Sequence, residues 1–169
     1  MTSHPTDDVA SLAARLESTN ADERAAAAEK LAQAGEAAAA AAIPLVRACG
    51  DADDRVREWA VAALEELGPP PAAAMDALAT LAADSVPLAA YWAVTLLGRA
   101  GQAAGSTAGV LADCLESGDT AVAQRAAWAL GKLGPAAAVT HERLRAAAQS
   151  ADPRLASLAA KALAAIGGV

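Results

Sequence analysis

The sequence predicts an all-α protein, an α-solenoid of about ten antiparallel helices stacked in pairs. Three observations carry that reading. The first is a fixed period. Gly35, Gly68, Gly101, Gly134 and Gly167 stand 33 residues apart, and the same step links Leu31, Leu64, Leu97, Leu130 and Leu163. It also links Ala27, Ala60, Ala93, Ala126 and Ala159, and on a second helix Leu12, Leu45, Leu78, Leu111 and Leu144. Columns this regular, with no insertion or deletion, mark a repeated structural unit. The second is the spacing inside one unit, 43–68. There Val56, Ala60, Ala63, Leu64 and Leu67 fall on one helical stripe, after a polar turn at Asp51-Ala52-Asp53-Asp54. The third is that no stretch alternates apolar and polar residues over a useful length, which excludes strands.

Each element follows from local signals. Residues 6–18 predict an unpaired first helix with Val9, Leu12, Ala13 and Leu16 as its stripe and Thr6 as its cap. Repeats then run over about 20–51, 53–84, 86–117 and 119–150, with a final half-repeat at 152–167, all within one repeat domain spanning 1–169. The first helix of each pair is expected at 21–34, 54–67, 86–100, 120–133 and 153–166. Asn20, Asp53, Ser85, Asp119 and Asp152 stand at the cap positions, where a side-chain oxygen can take up free backbone N–H groups. Pro87 and Pro153 share a column in the first turn, where no N–H is needed. The second helices are expected at 36–50, 70–84, 103–117 and 136–149, with Pro69 and Pro135 at two of their starts. Pro44 falls inside one of them and predicts a kink or split there. The glycine column reads as helix stops. The Pro69-Pro70-Pro71 run keeps register and reads as a stiff helix start.

Composition narrows the function. Hydrophobic residues make up 55% of the 169, aromatics 2%, and Phe is absent, so the core must be Ala and Leu in close contact. Net charge is −7, which disfavours nucleic acid or an anionic membrane as main partner. That charge is uneven: residues 1–85 carry 15 acids and 6 bases, residues 86–169 carry 5 acids and 7 bases. Cys49 and Cys114 have neither metal spacing nor a disulfide framework and read as small apolar residues. The N-terminus lacks the basic start and apolar run of a signal peptide, and no apolar stretch is long enough to cross a membrane, so a cytoplasmic setting is expected.

The pattern resembles HEAT-type repeats. The family shape is a helix carrying I/L-P-x-L, an acidic turn, then V-R-x-x-A-x-x-A-L-x-x-L-G, and residues 43–68 match nearly throughout, Asp53, Val56 and Arg57 included. Residues 122–134, VAQRAAWALGKLG, resemble the shorter phycobilisome-lyase-like subclass, whose repeats often read A-A-W-A-L-G; Trp128 fits. The likeness covers 6–167 and is weakest in the third repeat, where Val86, Ala89 and Ala90 replace Asp, Val and Arg. The resemblance implies a right-handed superhelix with second helices lining its concave side, and protein–protein binding as the usual role. It also implies that Arg57 pairs with an acidic turn residue of a neighbouring repeat, as a ladder, although Asp53 and Arg57 also read as a solvated helix pair.

Catalytic material is sparse. His4 and His141 are the two histidines. His141-Glu142 resembles the His-Glu pairs of HEAT-repeat deoxyhypusine hydroxylases, but those enzymes need several such pairs around two irons. There is no phosphate loop and no nucleophile motif. No catalytic residue, metal or cofactor is therefore assigned. Trp59 and Trp92 share a column and read as neighbouring core fillers, with Tyr91 partly toward solvent.

Two surfaces are candidate sites. Between the buried columns of Leu45 and Cys49 lie Arg47, Thr80 and Asp113 in one row, with Asp76, Glu116 and Glu142 nearby. This mildly acidic ridge would suit a basic peptide or helix, and it is equally an ordinary solvated face. The last helix carries Leu155, Leu158 and Ile166 with few charges, which suggests end stacking on a partner or a second copy. The function expected first is a non-enzymatic protein-interaction scaffold. The alternative implied by the resemblance is a bilin lyase or lyase subunit. Nucleic-acid binding in the concave groove is a third option that the acidic balance opposes.

Overall fold

The computed structural model describes residues 8–167, and all regular structure among them is helical. Packing divides the chain into two compact units, residues 1–68 and 69–169. In the first, α1 (Val9–Arg15) packs on α2 (Ala21–Ala34), α2 on α4 (Asp54–Glu66), and α3 (Ala42–Ala48) on α4. In the second, α5 (Met75–Ala82) packs on α6 (Pro87–Ala100) and α7 (Ala108–Cys114) on α8 (Thr120–Leu133). There α9 (His141–Ala147) packs on α10 (Pro153–Gly167), while α6, α8 and α10 lie side by side. Within each unit this is the helix-pair stacking of an α-solenoid.

The columns form the core. Leu31, Leu64, Leu97 and Leu130, then Ala27, Ala60, Ala93, Ala126 and Ala159, are 0% exposed, as are Leu45, Leu78, Leu111 and Leu144. Each leucine so buried contributes about 1.5–3 kcal/mol of transfer free energy. The alanines contribute less area but let helices approach closely. Thr107 and Thr140, buried in one column, satisfy their hydroxyls by donating to the carbonyls of Ala104 and Ala137 at 2.7 and 2.8 Å.

Caps hold as expected at Asn20, Asp53, Asp119 and Asp152, each accepting from a backbone N–H at 2.9–3.0 Å. Asp8 caps α1 through the Ser11 N–H at 2.7 Å; Thr6 lies outside the described residues. Ser85 is not a cap. The 33-residue step from Asp53 lands on Val86, which begins α6 with no side-chain bond. Replacing Val86 with Asp should therefore stabilise the protein by about 1 kcal/mol, measured by thermal or denaturant unfolding, because it restores the one empty cap of the column. A second column carries no obvious mark in the sequence. The side-chain oxygens of Ser18, Asp51, Asp84, Ser117 and Ser150 each accept the backbone N–H two residues on, at 2.9–3.2 Å, and set the turn that leads into each following helix pair.

The second helices differ from expectation. Each begins as a 3-10 stretch (Gly35–Ala41, Ala72–Ala74, Gly101–Thr107, Gly134–Thr140) and becomes α-helical only later. Pro44 is not the cause, because the same change occurs at Thr107 and Thr140, where the α-helix that follows contains no proline. Pro44 sits in the first turn of α3, where its missing N–H costs nothing. Three of the column glycines, Gly35, Gly101 and Gly134, end helices at φ of 55–59°, a conformation that side chains disfavour. Gly68 does not, because the prolines after it hold the chain extended: Leu67 has ψ 127° and Pro71 ψ 148°. The 3-10 turn there starts only at Ala72, and Gly167 still lies within α10. Trp59 is not a core filler. It is 38% exposed, whereas Trp92 is 6% exposed and meets half-buried Tyr91 edge to face, centroids 5.7 Å apart.

Candidate functional site

The site is best understood from what fills its equivalent in the first unit. On α2, Arg24 reaches the turn that leads into the following repeat. Its Nε and Nη2 donate to both Asp51 carboxylate oxygens at 2.7 and 2.8 Å, and its Nη1 donates to the Ser18 carbonyl at 2.8 Å. The two side chains are 16% and 12% exposed, so a planar, bidentate pair plugs the gap between repeats. The Arg24 guanidinium holds the Asp51 carboxyl below the usual carboxylate range. The expected ladder thus exists, carried by Arg24. Arg57, one repeat on in the same column, turns to the start of its own repeat instead, donating to the Asp51 carbonyl and pairing with Asp54. Arg55 adds an exposed link from Asp53 to Asp22, at 2.9 and 2.8 Å.

Inside the second unit the same two positions, 66 residues further on, are Ala90 and Ser117. Neither can reach across, and a groove of about 640 Å3 opens in the gap. Its floor is apolar: Ala82, Ala90, Val110, Cys114 and Val122, with Pro87 at one edge. Asp84, Asp113 and Asp119 are the charged residues of its lining, and no Lys, Arg or His lines it. Asp84 and Asp119 are fixed by the turn and cap bonds already described. Buried Cys114 donates to the Ala82 carbonyl at 3.4 Å across the groove floor; burial, then Asp113, push its thiol up. Cys49, in the first unit, is pushed up to about 12 by burial. Both thiols are unpaired and protonated at neutral pH, so neither is an activated nucleophile.

The residues expected in the ridge are only partly brought together. Thr80 and Asp113 line the groove. Asp76 sits one turn before Thr80, whose hydroxyl donates to the Asp76 carbonyl at 3.0 Å. Glu116 and Glu142 face a shallower hollow with Arg143. Arg143 pairs with both Asp113 and Glu116, the latter at 3.3 Å, and Arg145 pairs with Glu142 at 3.2 Å. Two arginines thus partly neutralise the three carboxylates at that end of the ridge, and its unpaired acidity is in the groove, around Asp84 and Asp119, which lie outside the expected row. Arg47 belongs to the first unit, exposed and 4.0 Å from Glu17. The end-stacking residues are not on offer: Leu155 and Ile166 are buried in the second unit, Leu158 is half-buried, and α10 shows solvent mainly Arg154, Ser157, Lys161 and alanines. The stripe of the last helix is consumed by packing on α8 and α9.

His141 lies 3.9 Å from Glu142, and among the described residues no cluster of three His, Cys, Asp or Glu is arranged to hold a metal ion. Among them, too, no helix is long and apolar enough to cross a membrane.

No curated protein matches the chain. Among solved structures, an engineered protein is similar over 94% of this chain and 79% of its own, at 25% identity and TM-score 0.64. A designed armadillo repeat protein in complex with peptide (KR)4 aligns with 94% of this chain and 81% of its own, at 17% identity and TM-score 0.68. The complex of CpcE and CpcF of phycocyanin lyase from Nostoc sp. PCC7120 aligns with 97% of this chain and 66% of its own, at 20% identity and TM-score 0.65. At such identities the last two show a shared fold. The sequence itself goes further, because the family model of HEAT repeats matches residues 9–98, more than half of the chain. With its helix pairs, its period and that match, the chain belongs to the HEAT repeat family.

Proposed function

We propose that the protein is a non-enzymatic interaction scaffold, and that the groove of its second unit takes a basic peptide segment through an arginine side chain. One observation carries this reading: the groove occupies the place where Arg24 sits in the first unit, and its lining holds Asp84, Asp113 and Asp119 but no cationic side chain, Arg143 reaching Asp113 from outside it. A guanidinium from a partner would find Asp84 and Asp119 at the rim and an apolar floor for its stem. The complex of a designed armadillo repeat protein with (KR)4 supports basic peptides as ligands of such stacks, though it speaks for that protein alone. The proposed setting is the cytoplasm, where buried thiols such as Cys49 and Cys114 stay reduced.

The likeness to CpcE and CpcF favours a second reading, a bilin lyase or lyase subunit. The groove is of ligand size, so volume does not separate the two readings. Charge does. A bilin's propionates would meet Asp84, Asp113 and Asp119 without a cation in the lining, whereas an arginine meets complementary charge.

The test is a titration of labelled (Lys-Arg)4 peptide by fluorescence anisotropy. The Asp84→Asn/Asp113→Asn variant should bind about tenfold more weakly, a loss of ~1.4 kcal/mol. Its melting temperature should not move, because an asparagine in place of Asp84 can still accept the Val86 N–H and the Asp113 pair is exposed. Equal affinity for the two proteins would exclude the groove as the site.

A further inference from the structure

The second unit has another surface, of opposite charge. Helices α6, α8 and α10 pack side by side and together contain no Asp or Glu. Their charged side chains are Arg99, Arg125, Lys132, Arg154 and Lys161. The corresponding helices of the first unit, α2 and α4, carry Asp22, Glu23, Glu29, Asp54, Glu58, Glu65 and Glu66, so the cationic layer is a property of the second unit and not of the repeat.

Aromatic rings hold the cations in place. The Arg125 guanidinium lies 4.6 Å over the Tyr91 ring and 5.0 Å over the Trp128 ring, and it donates to the Tyr91 hydroxyl. Lys132 stands 5.8 Å over Trp128, and Arg99 5.7 Å over Trp92. Ring faces fix a cation without cancelling its charge. Arg125, Lys132 and Lys161 form no ion pair among the described residues. The carboxylate beside Arg154 is that of Asp152, whose oxygens already accept from Gln124 at 2.6 Å and from the Arg154 backbone N–H at 2.9 Å. Between the helices is a hollow of about 180 Å3 lined by Tyr91, Gln124, Arg125, Trp128, Arg154 and Leu158. It sets two guanidinium groups and two aromatic rings around a space the size of one side chain.

We propose that this face is a second docking surface, and that it takes an acidic peptide segment of a partner protein with one carboxylate seated between Arg125 and Arg154. Arg125 has spent one donor on Tyr91 and keeps the rest of its fork for a carboxylate. A nucleic acid fits less well: five cations spread over three helices make a short stripe, on a protein with net charge −7. The proposal does not depend on the groove, which lies on other residues and seeks the opposite charge.

The experiment uses the full chain and a fluorescein-labelled (Glu-Ala)5 peptide, with (Lys-Ala)5 and a single-stranded oligonucleotide of equal charge as controls. The glutamate peptide should bind in a salt-dependent manner, and Arg125→Gln/Arg154→Gln should weaken it at least ~tenfold. Because Arg125 is part of a ring stack, Arg154→Gln/Lys132→Gln, at exposed positions, is measured in parallel and should weaken binding severalfold with no change in melting temperature. The groove variant Asp84→Asn/Asp113→Asn should bind (Glu-Ala)5 as wild type does. Equal affinity across wild type and both arginine variants would overturn the proposal. Tighter binding of the oligonucleotide would overturn it in favour of nucleic acid. Self-association that Arg125→Gln/Arg154→Gln abolishes, without peptide binding, would overturn it in favour of a second copy.

Discussion

Gly98→Leu is expected to destabilise the protein by about 3 kcal/mol, and by that amount to lower its melting temperature by roughly 6–12 °C. Gly98 lies in the last turn of α6, still at a helical position, where glycine costs about 1 kcal/mol against alanine. Its presence there is explained by the neighbour. A Cβ at 98 would stand 2.4 Å from Cζ3 of Trp128 and 3.0 Å from both Cα and Cβ of Ala129. The indole could shift; the Ala129 backbone cannot shift without moving α8. Gly98→Ala sets that overpacking of about 1–3 kcal/mol against a gain in helix propensity of ~1 kcal/mol, and should come out mildly destabilising. Leucine adds bulk with no further compensation. Gly131, one repeat on, is the internal control: its added Cβ would meet Ala162 at 3.3–3.4 Å, so Gly131→Ala should be close to neutral. Unfolding of purified variants checks the series, and a Gly98→Leu protein that melts with wild type would show that α6 and α8 do not approach as described.

The fold is largely legible in the sequence because its signal is redundant. Leu64 is read as core from its own helix and again from four copies at the same phase, so errors in any one repeat are outvoted. What escapes are features that need the third dimension or a single residue. The 3-10 start of each second helix leaves no mark, since Ala-rich segments serve either geometry. Ser85 suits a cap by residue type, whereas the column itself points to Val86. Trp59 and Trp92 share a phase but not an environment, which periodicity does not distinguish. For the site, Thr80 and Asp113 can be found by asking which columns lie between buried ones. Asp84 and Asp119 cannot, because they act as turn and cap in every repeat that carries them, and only the loss of the arginine across the gap exposes them to a ligand. The sequence does mark that place: Ala90 is where the repeat departs most from its pattern. Departure from a repeat, more than agreement with it, locates the groove.

Restoring the ladder should therefore close the groove. In Ala90→Arg/Ser117→Asp the two positions take the residues that stand at 24 and 51, where the pair makes bonds of 2.7 and 2.8 Å and a third donor reaches the turn carbonyl. The new carboxylate can keep the turn, because Asp51 accepts the Asp53 N–H at 2.9 Å just as Ser117 accepts that of Asp119 at 3.2 Å. The new guanidinium would span the apolar floor and meet Asp84 and Asp119 as the partner's is proposed to do. Affinity for (Lys-Arg)4 should fall by at least about 100-fold, or ~2.7 kcal/mol, since the site is both filled and neutralised. Stability separates this from misfolding. Ala90→Arg alone puts a long side chain at a buried alanine without the bidentate partner that Asp51 gives Arg24 and should melt below wild type, and Ser117→Asp alone adds an acid to an acidic rim. Together they should recover, with a favourable coupling of about 1–3 kcal/mol in the double-mutant cycle. Additive effects would mean that the two positions do not face each other across the gap. A coupled, stable double variant that still bound the peptide with wild-type affinity would leave the ladder intact as architecture and remove the groove as the binding site.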